Sequence, residues 1–356
     1  MQYCFFQPVL PITMAFKVFG TQPTGQRLER ITKSENYKFG SFQNLAETLM
    51  DFTPGVAFDT MKQRMNNIDK TPKKPIPTIK TDLQALNTDA PSVVWFGHSS
   101  YIVKVYGLTI LVDPVFGNYA SPIPGVVGSY AHTHKYGLAD MPDVIDVLLI
   151  THDHYDHLDY GTVSKLKSKV KNVVTGLGVG AHFEYWGFNP AIIHELDWWE
   201  SVELDNGFNF TAAPGRHFSG RSLKRNQSLW SGFALDTGSH KLYLGGDSGY
   251  GSHFAKIGEH FGGFDLAILE CGQYNINWHA IHMMPEETVQ ASLDLKSKVL
   301  LPVHWGKFTL SVHPWYESVT RALAAAPKLN ATVVTPQIGE PLTLGNPHTN
   351  KIWWQY

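Results

Sequence analysis

Cysteine is nearly missing from this chain: 356 residues contain two, Cys4 and Cys271, far apart in sequence. A disulfide framework and a thiolate zinc site both need cysteines in closely spaced sets, so neither fits. Cys271 follows the apolar run Leu266-Ala-Ile-Leu269 and is expected to be a buried structural thiol. Charge of one sign is also scarce. A formal net charge of −2 leaves no broad basic field for a phosphate backbone, and no nucleic-acid partner is expected. Long apolar runs are lacking: nothing approaches the roughly 20 residues that would cross a bilayer. Residues Met1 to Met14 are apolar, but they lack a basic stretch and are broken by Pro8 and Pro11, so they make a poor secretion signal. A cytoplasmic protein is the expectation. Residues 1–14 stay open as a tail, a membrane-touching segment, or upstream sequence if Met14 is the true start.

Apolar residues are plentiful, at 43% of the chain, enough for a sizeable core within one large α/β layer structure. Most of the ten tryptophans are expected in that core, with some free to line an apolar groove. Residues 15–68 mix polar and aromatic side chains, with one helix expected over Phe42 to Met50. Asp69-Lys-Thr-Pro-Lys-Lys-Pro-Ile-Pro77 reads as an extended connector. The division expected is therefore residues 1–77 as an N-terminal extension and linker packing on the core, and 78–356 as the main domain.

From Ser92 the pattern becomes strand after strand. Val93 to Trp95, Tyr101 to Val105 and Leu108 to Val112 suggest a meander turning at Gly107. Later apolar runs alternate with helical stretches: 163–170, 253–260, from Pro285 to about Lys296, and Trp315 to Ala324. A proline opening the third suits a first helical turn.

Set in that frame is Thr151-His-Asp-His-Tyr-Asp-His-Leu-Asp159, directly after the apolar run Val147 to Ile150. Imidazole and carboxylate at this density suit a borderline cation such as Zn²⁺. One turn cannot close a coordination shell. His217, Asp247 and His304 are the further candidates, each following its own apolar run. The metal set is therefore His152, His154, Asp156, His157, His217, Asp247 and His304. Asp113 is open between orienting a ligand histidine and serving as a turn residue before Pro114. Asp159 is open between that kind of support and an N-cap for the helix near Thr162. His132 and His134 lack a following Asp-His and are read as a non-metal loop. His98 is read as stabilising a turn. Arg216, Arg221, Lys224 and Arg225 surround His217, where one or two could hold an anionic group, although ordinary loop solvation explains any single one.

These motifs, with Trp95-Phe-Gly-His-Ser-Ser100, Leu111-Val-Asp-Pro-Val-Phe116, Glu195-Leu-Asp-Trp-Trp199, Gly215-Arg-His-Phe-Ser-Gly-Arg221, Gly245-Gly-Asp-Ser-Gly249 and His282-Met-Met-Pro-Glu286, make the chain resemble the metallo-β-lactamase superfamily. Within it, the resemblance is to the branch of N-acyl-phosphatidylethanolamine-hydrolysing phospholipase D and its bacterial relatives. It implies an αββα four-layer sandwich with two zinc ions per chain at one edge. His152, His154 and His217 would take the first ion, Asp156, His157 and His304 the second, and Asp247 would bridge. It also implies that Tyr155 and His282 contact the substrate head group. Asp156, Asp247 and His282 are the residues expected to act in catalysis.

A carboxylate facing two cations about 3.5–4 Å apart leaves room for a bridging hydroxide that attacks an electrophile. A hydrolase is expected, and the resemblance points it at a phosphodiester in an N-acylated phospholipid. A lactonase or other ester hydrolase on the same site is the alternative, and a non-catalytic ligand-binding protein ranks last. The partners expected are thus a phospholipid or other small ester, with a peripheral membrane contact and a homodimer left open.

Overall fold

Neighbouring residues on a strand enter different hydrophobic layers, and this alternation builds the molecule. In the strand Ile145–Ile150, Val147 and Leu149 join one cluster while Leu148 and Ile150 join another. Side chains that point alternately to opposite faces give this period of two. The computed structural model describes residues 17–50, 53–66, 69–86, 88–131, 136–204 and 207–355. Residues 1–14 with Cys4, and the pair His132 and His134, lie outside the described residues.

Two sheets face each other. The strands in chain order are β1 (Tyr37–Lys38), β2 (Ser41–Phe42), β3 (Ser92–Trp95), β4 (Tyr101–Val105), β5 (Leu108–Val112), β6 (Ile145–Ile150), β7 (Val170–Gly176), β8 (Ile193–Leu196), β9 (Ser201–Leu204), β10 (Phe208–Pro214), β11 (Ser231–Asp236), β12 (Lys241–Leu244), β13 (Leu266–Glu270), β14 (Leu300–Val303) and β15 (Pro341–Thr343). A seven-stranded sheet has the order β15-β3-β4-β5-β6-β7-β8, and a six-stranded sheet the order β14-β13-β12-β11-β10-β9. Strands β1 and β2 form a separate small hairpin.

The layer between the sheets takes Val93, Val103, Ile110 and Val147 from one side and Phe210, Phe233, Leu242 and Ile268 from the other. The outer face of the larger sheet packs Ile102, Leu111 and Leu148 against Val163, Leu166 and Phe183 of two helices, Tyr160–Leu166 and Gly180–Tyr185. The outer face of the smaller sheet packs Ala234, Tyr243 and Ala267 against Phe254, Val289 and Ala322 of the helices His253–Phe261, Pro285–Asp294 and Glu317–Leu329. This is the αββα four-layer sandwich expected from the sequence. Each fully buried aliphatic side chain contributes about 1.5–3 kcal/mol, so the layers hold the fold and the site rides on them.

Strand direction positions the site. β3 and β5 are each antiparallel to β4, and β5 is parallel to β6, so β3, β5 and β6 run the same way. By the same reasoning β10, β12, β13 and β14 share a direction. Their C-terminal ends gather along one edge of each sheet.

The helix expected over Phe42 to Met50 does not form. Phe42 closes the β1–β2 hairpin, its N–H donates to Asn226 O at 2.8 Å, and Asn44 is drawn to His217. Long-range partners outweigh a weak local preference here. A helix forms instead at Pro54–Asn66. Residues 17–50 lie on the larger body through Arg27 to Glu195 (2.6 Å) and Arg30 to Glu200 (2.6 Å).

Candidate metal centre

Six strand ends deliver the site. His98 follows β3, Asp113 follows β5, the run from His152 to His157 follows β6, His217 follows β10, Asp247 follows β12 and His304 follows β14. The two edges are stitched together by His304 N donating to His98 O at 2.8 Å and Ser231 N donating to Thr151 O at 3.0 Å. Glycine admits the close approaches: a Cβ at Gly249 would come within 2.1 Å of Ala280 O.

Three imidazole nitrogens converge at one point. His154 Nδ1 lies 3.0 Å from His152 Nε2 and 3.2 Å from His217 Nε2. Nitrogens held tetrahedrally at about 2.0–2.1 Å from zinc stand about 3.3 Å apart, so this spacing matches a shared cation. The Nδ1 atoms of His152 and His217 are occupied by Thr151 Oγ1 at 3.1 Å and Ile281 O at 3.1 Å. Their Nε2 lone pairs therefore turn inward, and neutral imidazoles placed this way repel unless a cation sits between them.

A second group lies alongside. His98, Asp156, His157 and His304 bring ligand atoms within 4.8 Å of one another. His157 Nδ1 is held by Asp113 Oδ2 at 2.7 Å and His304 Nδ1 by Ser99 Oγ at 2.7 Å. Their buried Nε2 atoms have no hydrogen-bond partner, and neither does Asp247 Oδ1. Orphaned donors and acceptors of this kind are costly unless something else satisfies them. The donor set and the orphaned atoms together fit a pair of divalent ions.

Asp247 lies between the groups. Its Oδ2 is 3.8 Å from His217 Nε2, 3.9 Å from His152 Nε2 and 3.2 Å from His157 Nε2, while Oδ1 is 3.3 Å from His304 Nδ1.

The electrostatics suit ligation. Burial pushes His152, His217 and His304 well below the ordinary histidine range, which leaves them neutral. Burial alone would raise Asp156 and Asp247. The facing His157, with His98 beside Asp156 and His304 beside Asp247, overcomes burial and holds both well below the ordinary carboxylate range. His157, despite burial, is raised by Asp247, Asp156 and Asp113 around it.

His282 stands over the site, its ring 5.1 Å from His217 and 5.4 Å from His304. Tyr155 does not direct its hydroxyl at the cluster. That group donates to Arg221 O at 2.6 Å, and the Arg221 guanidinium lies 4.2 Å from the ring centre. Arg221 is buried and donates to Asp153 O, Leu158 O and Val18 O, so it braces the metal loop from behind. Arg216 donates to Thr48 Oγ1 and to the carbonyls of Glu47 and Tyr250. Lys224 and Arg225 are exposed. Asp159 caps its helix, accepting from Gly161 N at 3.0 Å.

His98 does more than hold a turn. It does occupy a turn, with φ 54°, but it is fully buried and its Nε2 lies 2.9 Å from Asp156 Oδ2. The signal was present: a histidine just past an apolar strand, as at His217 and His304. Asn44 was not anticipated. Its side chain accepts from His217 N at 3.0 Å and donates to His217 O at 2.8 Å, fixing that ligand's backbone. Asp153 was also missed. It accepts from Gly220 N and Ser228 Oγ and faces His182 Nε2 at 3.3 Å, tying the metal loop to two other segments.

Comparison with known proteins adds a family. Residues 109–305 match the beta-lactamase superfamily domain. An uncharacterized protein of Mycobacterium tuberculosis is 39% identical over 334 residues, covering 91% of this chain and 88% of its own. An N-acyl-phosphatidylethanolamine-hydrolyzing phospholipase D of Caenorhabditis elegans is 31% identical over 241 residues, 62% of this chain and 65% of its own. Among solved structures, a metallo hydrolase from Ignicoccus hospitalis superposes with a TM-score of 0.55 at 21% identity, over 72% of this chain and all of that one. A diiron β-hydroxylase from Streptomyces venezuelae superposes with a TM-score of 0.54 at 18% identity, over 72% of this chain and 55% of that one.

Proposed function

This chain belongs to the metallo-β-lactamase superfamily, and from that premise we propose that it is a dinuclear zinc phosphodiesterase acting on N-acylated phospholipids. Cleavage between phosphorus and the ethanolamine oxygen would yield an N-acylethanolamine and a phosphatidic acid. One observation carries the dinuclear reading: Asp247 presents Oδ2 to the Nε2 atoms of His152 and His217 from the first group and of His157 from the second. His152, His154 and His217 would hold one ion, Asp156, His157 and His304 the other, and Asp247 both.

Zinc held by these residues would supply a nucleophile near neutral pH and stabilise charge on the reacting oxygens. The chain's own residues orient and shield. Asp113, Ser99 and Ile281 O fix the ring planes of His157, His304 and His217. His98 holds Asp156 by its Nε2. His282 is the residue that meets the phosphate oxygens. Tyr155 packs its ring on the Arg221 guanidinium and keeps its hydroxyl on Arg221 O, so it steadies the metal loop beside the head group.

The lipid reading draws on the C. elegans relative and on an apolar surface. Leu45 and Leu49 are exposed on a stretch that adjoins the site through Asn44 and Arg216, and Phe58, Met61 and Met65 are exposed on the helix Pro54–Asn66 that follows it in sequence. Exposed apolar groups clustered beside a polar centre mark a place where a lipid or membrane surface docks. The same patch supports a peripheral membrane contact. Among the described residues no helix is long and apolar enough to cross a membrane.

The test is turnover of N-acyl-phosphatidylethanolamine vesicles in ¹⁸O water, beside a panel of simpler diesters and lactones. The label should enter the phosphatidic acid. Label in the alcohol, or lactones turned over ahead of every diester, would overturn the assignment.

A further inference from the structure

Among the described residues, two buried polar atoms beside the metal centre face each other, and neither has a hydrogen-bond partner. Glu270 is the last residue of β13, which ends at the same edge as the ligand-bearing strands, and it is 1% exposed. Its Oε1 accepts from Met283 N at 2.6 Å, and its main-chain oxygen accepts from Thr288 Oγ1 at 3.0 Å. Its Oε2 is unpartnered, as is His282 Nδ1, and the two lie 3.8 Å apart. A carboxylate stripped of water is costly to leave half satisfied. Packing alone does not explain it, since an apolar side chain would fill this position without that cost. Catalytic hydrogen bonds are often long before substrate binds and tighten in the complex. A ring nitrogen of His282 also stands within 4.8 Å of ligand atoms of His217 and Asp247, and the ring lies nearly parallel to that of His304, at 16°.

We infer that Glu270 is a positioning residue that fixes His282 so that its Nε2–H points at the oxygen leaving phosphorus. One proton lies between Glu270 Oε2 and His282 Nδ1, and a second sits on Nε2. When the phosphorus–oxygen bond breaks, its electron pair goes to the departing alcohol oxygen, which takes the Nε2 proton. Water supplies the new oxygen on phosphorus and releases one proton to solvent, and solvent returns one to His282. Carboxylate behind imidazole lets the ring give up a proton and end as neutral imidazole.

This rests on the phosphodiesterase reading, and the experiment separates the two. Glu270→Gln keeps the shape and an acceptor for Met283 N, but turns an amide NH₂ toward Nδ1. The ring then carries its only proton on Nε2 and cannot release it usefully. On the zinc-loaded protein, the slowly exchanging proton signal of His282 Nδ1 in ¹⁵N-resolved NMR should vanish in Glu270→Gln, with metal content and thermal unfolding unchanged. That readout needs no substrate. A signal that survives the substitution overturns the pairing, whatever the enzyme hydrolyses.

In turnover, Glu270→Gln should lower kcat for an alkyl phosphodiester about 100-fold or more, and for a p-nitrophenyl diester less than threefold, because nitrophenolate departs without a proton. The double variant with His282→Gln should be no slower than His282→Gln alone, since the two act as one unit. Equal losses on both leaving groups would reduce Glu270 to a packing residue. Loss of a metal ion with His282→Gln would make His282 a ligand and overturn the proposal.

Discussion

Asp113 Oδ2 lies 2.7 Å from His157 Nδ1, and the same carboxylate accepts from Thr151 N at 2.9 Å and Thr151 Oγ1 at 2.6 Å. One buried side chain thus fixes the ring of a candidate ligand and the start of the metal loop together. It does so from a strained backbone, with φ 41°, a conformation that persists only where the surroundings impose it. Asp113→Asn should weaken zinc at the site containing His157 by about 10–100-fold and leave the site of His152, His154 and His217 nearly unchanged. Titration against a competing chelator should resolve the two. Equal weakening of both would show that Asp113 acts on the whole loop instead.

Two ions per chain are expected at saturating zinc, and elemental analysis of protein prepared without chelator measures this. Stripping them should leave a folded chain, because the sandwich layers do not depend on the metals. A single ion at saturation would remove the bridging role of Asp247.

Arg221 and Arg225 flank one loop and should behave differently. Arg221→Ala would leave two buried carbonyls, Asp153 O and Leu158 O, and the half-buried Val18 O without their donor, a loss of about 3–5 kcal/mol by analogy with breaking a buried charged pair. Arg225 is exposed, and Arg225→Ala should stay within about 0.5 kcal/mol of the parent. Chemical denaturation of both variants checks the contrast. Arg225→Ala slowing diester turnover while Arg221→Ala spares stability would reverse the assignment.

His253 should contribute to acid lability. Burial, with Arg216 and Lys256 nearby, lowers it from 6.5 to about 4. The folded state holds it neutral where the unfolded chain takes up a proton, so its effect is absent above pH 6.5. Stability should fall as pH drops from 6.5 to 4 and flatten below, a loss of about 3 kcal/mol from this group at most. Replacing it with Phe should make the curve shallower across that window. Parallel curves for parent and variant would show that His253 titrates normally.

Much of the candidate metal centre was legible because its signal is local. His152, His154, Asp156 and His157 crowd into one turn after a strand, and His217, Asp247 and His304 each follow an apolar run. The apolar strand run Val147 to Ile150 and the proline opening Pro285–Asp294 are likewise visible within a few residues. These patterns arise from backbone geometry, which acts over short stretches.

Other features depended on distance along the chain. Asn44 reaches His217 across 173 residues, and His98 reaches Asp156 across 58. No periodicity marks an asparagine as a clamp or one strand-end histidine as part of a cluster. The same holds for Phe42 to Met50, where hairpin pairing and contacts to Asn226 and His217 replaced the expected helix. Glu270 reads in sequence as one acid after an apolar run. Only the meeting of β13 with the turn before Pro285 places its unpaired oxygen opposite His282. Strand formation and ligand chemistry are properties of neighbouring residues. Which strand ends share an edge is decided by the packing of two sheets, whose free energy is spread over residues remote in sequence.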